Sequence, residues 1–185
     1  MAGHSKWAQI KRGKAVTDAA KSRVFSRFAR LITLESKKAG GSVCAPGLAT
    51  AITRAKAVNM PKENIERAVA KGISKDAGEL EQVVYECYGP GGVAIVIDAL
   101  TDKRNRTTQE MKLLLTQNEL ELASPGAALW AFTRSPDGSY TPNEPLMDIA
   151  GDDETKLGAL LSLFDEHDDV QTVYTNARGY ESTRD

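Results

Sequence analysis

Two histidines and two cysteines hold most of the acid–base, nucleophilic and metal-binding capacity of this 185-residue chain. His4 and His167 stand at opposite ends, and neither has metal-ligand spacing around it. His167 lies among Asp165, Glu166, Asp168 and Asp169 at the end of a predicted helix, the ordinary setting of a surface histidine. Cys44 falls in a predicted loop and Cys87 in a predicted strand, with no histidine placed by the sequence to activate either thiol. Two cysteines without Cys-x-x-Cys spacing make no disulfide framework. A reducing compartment is therefore expected, a bacterial cytoplasm or an organelle interior. No catalytic constellation emerges, so the expectation is a protein that is not an enzyme and needs no metal or cofactor.

Three other features have chemistry of a different kind. Tyr88-Gly89-Pro90-Gly91-Gly92 is glycine-rich but lacks the Gly-Lys-Ser/Thr end of a P-loop, and a strand follows it. It reads as a tight turn, or as a hairpin tip whose bare backbone can approach RNA or a protein closely. Lys103, Arg104 and Arg106 open a helix after a strand, where side chains and free N–H groups can meet phosphate. Equally, Asp102 or Asn105 caps that helix and the arginines are solvated. The strongest signal is the N-terminal arm with Lys6, Lys11, Arg12 and Lys14. Lysines along a flexible segment neutralise phosphates and release counterions without reading sequence. Trp7 either stacks on an unpaired base or packs against the first helix.

The elements that must position these residues fall into two groups. After the arm, residues 21–39 form an amphipathic helix with Val24, Phe25, Phe28, Leu31 and Ile32 on one side. Arg23, Arg27, Arg30 and Lys37 gather on another face. A second helix is predicted from Leu48 to Val58, and a third from Pro61, with Lys71-Gly72 ending it. Beyond a linker at 73–81 the periodicity changes. Strands are predicted at Gln82–Tyr88, Val93–Leu100, Ala128–Thr133 and Val170–Asn176. Helices are predicted at Asn105–Gln117 and Asp152–His167, and 139–150 as loop. The expected fold is α+β: a three-helix basic domain, then a ββαβ…αβ domain with one sheet and helices on one face.

Charge divides the chain at the same place. Residues 1–75 hold 16 basic and 4 acidic side chains, a net of +12, and residues 76–185 hold 8 and 21, a net of −13. A net charge of −1 is thus a cancellation. The domains expected are 1–75 and 76–185. The positive part points to a polyanion, or to docking on its own acidic neighbour. No apolar run long enough for a membrane span exists, and the N-terminus lacks the apolar core of a secretory signal.

Gly3-His4-Ser5-Lys6-Trp7, followed by Ile10-Lys11, Lys14, Asp18 and Phe25, resembles the opening of the YebC/PmpR family. Asn59-Met60-Pro61-Lys62-Glu63-Asn64-Ile65-Glu66-Arg67-Ala68 is similar to a second family signature. Tyr85-Glu86, Tyr88 to Ala94, Leu100-Thr101-Asp102 and Arg104-Asn105-Arg106-Thr107 resemble a third. Asp169-Val170-Gln171 and Val173-Tyr174 with Asn176 resemble the C-terminal strand. The family includes the mitochondrial translational activator of cytochrome oxidase. The resemblance implies a helical domain followed by α+β domains, no enzymatic activity, and nucleic-acid binding or action on the ribosome. It carries that binding to His4, Ser5, Lys6, Trp7, Lys11, Lys14, Lys62 and Arg67, and implies function for Gly89, Pro90, Gly91, Gly92, Arg104, Asn105 and Arg106. Arg23, Arg27 and Arg30 join the binding set from their shared helix face. Departures are Cys87, Gly13, Ala20 and Val43 to Gly47, and a family domain inserted between the third strand and last helix that is missing near 139–145.

The function expected is a non-enzymatic regulator of gene expression that binds nucleic acid, ribosomal RNA and the ribosome ahead of others. The alternative is a DNA-binding transcriptional regulator, although no helix-turn-helix pattern is evident and Asn59-Met60-Pro61 reads as a tighter break than that motif needs. A third class is a protein-interaction module working through the acidic half. A cytoplasmic or organellar monomer without membrane partners is expected.

Overall fold

The computed structural model describes residue 6, residues 18–74 and residues 79–183. They divide into two compact units, Val16–Glu81 and Gln82–Asp185, with Lys6 belonging to the second.

The first unit is helical. Helix α1 spans Asp18–Lys38, α2 spans Pro46–Ala57 and α3 spans Lys62–Ile73. Their apolar stripes meet in one core of Ile32, Leu48, Ala51, Ala55, Met60, Ile65 and Ala68, flanked by Phe25, Phe28 and Leu31. Asn59 explains how α2 stops. It takes the left-handed conformation (φ 60°), its N–H donates to Lys56 O and the next N–H, Met60, donates to Ala55 O. These are the two bonds of a Schellman cap, and buried Met60 supplies its apolar contact. Pro61 is the residue that caps α3 rather than its first helical residue. Its fixed φ and extended ψ suit that position, and its carbonyl accepts the first intrahelical bonds, from Asn64 and Ile65.

Gly72 departs from its expected role as a helix cap. Helix α3 continues to Ile73, with Ser74 as cap, and Gly72 is buried inside the last turn. A Cβ there would stand 2.5 Å from the Thr33 carbonyl oxygen and 2.7 Å from Ser36 Cβ. The missing side chain lets α1 approach α3 closely enough for Thr33 Oγ1 to donate to Ala68 O and Ser36 Oγ to Val69 O.

The second unit is α+β. Strand β1 (Glu81–Tyr88) passes through a 3-10 turn at Pro90–Gly92 into β2 (Ala94–Thr101). Helix α4 (Arg104–Gln117), a 3-10 turn at Leu129–Ala131, β3 (Phe132–Arg134) and β4 (Tyr140–Pro142) follow. Helix α5 (Gly151–Glu166) and β5 (Val170–Thr175) complete it. The main sheet has the order β1-β2-β5. The short connection makes β1 and β2 an antiparallel hairpin, and β5 runs antiparallel to β2 with Ile97 opposite Val173.

Alternation divides the sheet's side chains between two cores. Val83, Tyr85, Cys87, Ile95, Ile97 and Val173 point toward Met111 and Leu115 of α4 and Leu157, Leu161 and Phe164 of α5. Both helices thus lie on one face, as the pattern predicts. The opposite face (Ala94, Val96, Tyr174) packs on Ala128, Ala131 and Phe132, with Tyr140 edge-on to Tyr174 at 5.4 Å. Two expectations are corrected here. The predicted strand at Ala128–Thr133 begins as a 3-10 turn and becomes a strand only at Phe132. The region 139–150 is not all loop: Tyr140–Pro142 pairs with β3, and Met147 bridges Ala177. A three-residue strand with a proline gives no alternation to read; its partner strand defines it.

Candidate nucleic-acid interface

The helical unit presents its basic residues on the outside of that core. Arg23, Arg27 and Arg30 are half-buried along α1, at the i, i+4, i+7 spacing of one face. The Arg54 guanidinium lies over the Phe28 ring, 5.7 Å from its centroid, so α2 adds a cation beside α1. On α3, Lys56's neighbour element, Lys62, Arg67 and Lys71 are exposed. Ile65 and Ala68 face inward and hold these cations outward. Lys62 pairs loosely with Glu66 at 3.5 Å, and its side chain remains 85% accessible. An exposed pair of that kind holds its lysine by well under about 1 kcal/mol, so phosphate displaces it at little cost.

Of the arm residues, His4, Ser5, Trp7, Lys11 and Lys14 lie outside the described residues. Lys6 is described, and its Nζ meets Glu154 Oε1 at 2.7 Å.

The basic cluster at the start of α4 is split in its roles. Arg104 and Asn105 are exposed in the first turn. Arg106 is exposed as well, but its Nη2 donates to Asp169 Oδ2 at 2.7 Å, a carboxylate whose side chain is only 2% accessible. Asp102 and Glu110 flank the same guanidinium at 3.2 and 3.7 Å. Its pKa rises, first through the hydrogen bond to Asp169; the cost of burial opposes this, and the charges of Asp169, Asp102 and Glu110 add to the rise. Thr107 Oγ1 also donates to Asp169, at 2.6 Å. Neither Asp102 nor Asn105 caps α4, whose cap residue is Lys103. Instead Thr101 Oγ1 accepts from the Lys103 amide.

Beside this pair, Glu110, His167 and Asp169 bring potential ligand atoms within 4.8 Å of one another. His167 Nδ1 accepts from the Asp169 amide, and Nε2 faces Glu110 at 3.2 Å. Arg106 already engages Asp169 Oδ2, and together with His167 and Glu110 it ties α4 to the segment that follows α5. Cys87 is fully buried, and burial pushes its thiol up to about 12, which makes it a core residue rather than a nucleophile. Cys44 is exposed.

The glycine turn is built for shape. Gly91 (φ 68°) and Gly92 (φ 80°) both need the left-handed region, and a Cβ on buried Gly89 would stand 2.7 Å from Ile95 Cδ1. Asp153 at the start of α5 lies beside Gly91, so an anion approaching this turn meets a carboxylate.

Sequence reasoning missed the loop that follows α4. Glu86 is buried in β1 and accepts from the amides of Gly126, Ala128 and Leu129 at 2.6 to 2.9 Å. That grip presents Trp130, which is 67% exposed and donates from Nε1 to Tyr88 Oη at 2.9 Å. The Tyr88 hydroxyl in turn donates to Ala127 O. The sequence carried no local signal for that grip: Glu86 alternates with Tyr85 and Cys87 and so reads as the polar face of β1, and only the loop folded over that face buries it.

No helix among the described residues is long and apolar enough to cross a membrane. Residues 5–75 match the TACO1/YebC protein N-terminal domain, and residues 80–137 match the TACO1/YebC second and third domain. A protein of Leptospira biflexa named "Probable transcriptional regulatory protein" is 42% identical over 192 residues, covering 100% of this chain and 74% of its own length. One of the same name from Treponema pallidum is 38% identical, covering 98% of this chain and 79% of its own length. Among solved structures, a conserved hypothetical protein from Aquifex aeolicus superposes with a TM-score of 0.79 at 28% identity, covering 89% of this chain and 93% of that one. With both matched regions and the relatives' coverage taken together, the chain belongs to the TACO1/YebC family.

Proposed function

We propose that the protein is a non-enzymatic regulator of gene expression that binds nucleic acid through residues 1–75, with RNA on the ribosome as its favoured target. The observation that carries this reading is the helical unit's exterior, where Lys56, Lys62, Arg67 and Lys71 face solvent. Exposed cations on short, packed helices can each neutralise a phosphate without reading sequence, and Arg67 and Lys71, four residues apart, share one face of α3. The arm residues His4, Ser5, Lys6, Trp7, Lys11 and Lys14 extend that surface in this reading, as do Arg23, Arg27 and Arg30. Arg106 is a weaker candidate, because Asp169 already engages it.

DNA binding is the second reading, and two observations favour it. Relatives carry the name of transcriptional regulatory proteins. In addition, α2 ends at Ala57 and α3 begins at Lys62, leaving a connection of the length a helix-turn-helix uses.

The test is co-sedimentation of the full chain with ribosomes at two salt concentrations, beside titration of a labelled 30-mer single-stranded RNA and a random-sequence duplex DNA. The RNA reading expects ribosome association that weakens steeply with salt and is reduced by Lys62→Gln with Arg67→Gln. Duplex binding without ribosome association transfers the function to DNA. Binding to neither, or binding indifferent to salt, refutes the proposal.

A further inference from the structure

Lys6 is the one arm residue described, and it is held. Its Nζ donates to Glu154 Oε1 at 2.7 Å. The same oxygen accepts from the Tyr180 hydroxyl at 3.1 Å, so the carboxylate is fixed before the lysine arrives. The lysine's aliphatic stem lies on Gly179. A Cβ at that glycine would stand 3.1 Å from Lys6 Cγ and 3.2 Å from Cδ, so a side chain at 179 would crowd the stem. Gly179 also has φ 86°, which disfavours other residues there. Glu154 gives up its proton more readily than an ordinary glutamate, first because Lys6 donates to it and next because Tyr180 does. The seat lies in the first turn of α5, where Asp152 and Asp153 add negative charge.

We propose that Glu154, Tyr180 and the Gly179 backbone form a seat for Lys6 that competes with polyanions, so that the acidic unit restrains the basic arm until nucleic acid displaces it. The inference rests on the reading of Lys6 as part of the polyanion surface. One carboxylate seated on one lysine is a modest restraint. Exposed ion pairs of this kind are weak, so the expected change in affinity is about two- to five-fold.

Two measurements on the full chain test it. The first is competitive acetylation of Lys6 Nζ by an N-hydroxysuccinimide ester, read by mass spectrometry. Glu154→Gln removes the charge and should raise Lys6 reactivity. Asp152→Asn removes the same charge one turn position away and should not. The second is the affinity of a labelled oligouridine 30-mer at low salt. Glu154→Gln should tighten it about two- to five-fold beyond Asp152→Asn, and the excess should vanish in a Lys6→Gln background. Equal Lys6 reactivity in the two variants means that the seat does not form in solution and overturns the proposal. Raised reactivity with equal RNA affinity means that the seat exists but does not compete, which also overturns it. If no variant binds the RNA while Glu154→Gln alone frees Lys6, the polyanion reading has failed and the competition falls with it, while the seat stands.

Discussion

The two units set their cations in different surroundings. In Val16–Glu81 there are twelve basic and seven acidic side chains, and Lys62, Arg67 and Lys71 point into solvent. In Gln82–Asp185 there are eight basic and eighteen acidic, and three arginines have a carboxylate or ring close by. Arg106 reaches Asp169, Arg178 donates to Asp148 at 2.8 Å, and Arg134 lies over Tyr140. Under the proposed reading the same residue type serves binding in one setting and structure in the other, and at Arg106 it is the burial of its partner that makes the difference. A carboxylate kept from water, such as Asp169, must be paired, whereas the glutamate beside Lys62 is solvated and makes little demand.

The sharpest way to break this comparison is at Arg106. Arg106→Met removes the guanidinium that meets the buried Asp169 carboxylate at 2.7 Å and with it the positive charge held there. The expected loss is about 3–5 kcal/mol from the α+β unit. It should be read by urea unfolding followed through Trp130 fluorescence in a Trp7→Phe background. A loss below about 1 kcal/mol would put Arg106 with the solvated cations.

Glu86→Gln comes next. The amide keeps one acceptor oxygen but puts an NH2 in place of the other, against either the Gly126 N–H or the Ala128 and Leu129 N–H groups, so the expected cost is about 2–3 kcal/mol, the penalty for buried donors left unsatisfied. Trp130 emission should also shift in the native state, because the loop carrying it loses its anchor. Unchanged emission with unchanged stability would mean that the loop is held by its apolar contacts with Ala128 and Ala131 instead.

In the helical unit the corresponding weak point is steric. Gly72→Ala gains helix propensity of about 1 kcal/mol but drives a methyl into the Thr33 carbonyl, 2.5 Å away. The Thr33 carbonyl is backbone and the Ser36 Cβ is fixed directly to it, so neither moves aside without a shift of α1. Overpacking should win, for a net destabilisation of about 1–2 kcal/mol, measured by far-UV circular dichroism. Stabilisation would show that α1 and α3 separate freely.

Much of this was legible in the sequence wherever one element alone determined the outcome. Helix stripes such as Ile65 and Ala68, the apolar run of β2 and the break at Asn59-Met60-Pro61 each follow from local periodicity or local backbone preference. What was not legible depends on residues far apart in the chain. Arg106 reads as a phosphate ligand until Asp169, sixty-three positions later, is seen to be buried against it. Gly72 reads as a cap until α1 is found against it. Tyr140–Pro142 has no pattern of its own and becomes a strand only by pairing with β3. The exposure of Lys62 and Arg67 was legible, because a polar position on the outer face of an amphipathic helix needs no distant partner to place it.

The smallest expected effect is also the one that separates the units most cleanly. Arg67→Gln touches an exposed side chain, so the stability change should stay within about 0.5 kcal/mol. If Arg67 contacts one phosphate, the slope of log affinity against log salt for single-stranded RNA should fall in magnitude by about 0.7. Arg106→Met, measured on the same RNA under conditions where it remains folded, should leave that slope unchanged. Reversal of the two results, with a slope change at Arg106 and none at Arg67, would move the nucleic-acid surface to the start of α4. The positive exterior of the helical unit would then need another explanation, namely solubility or attraction to the chain's own acidic residues.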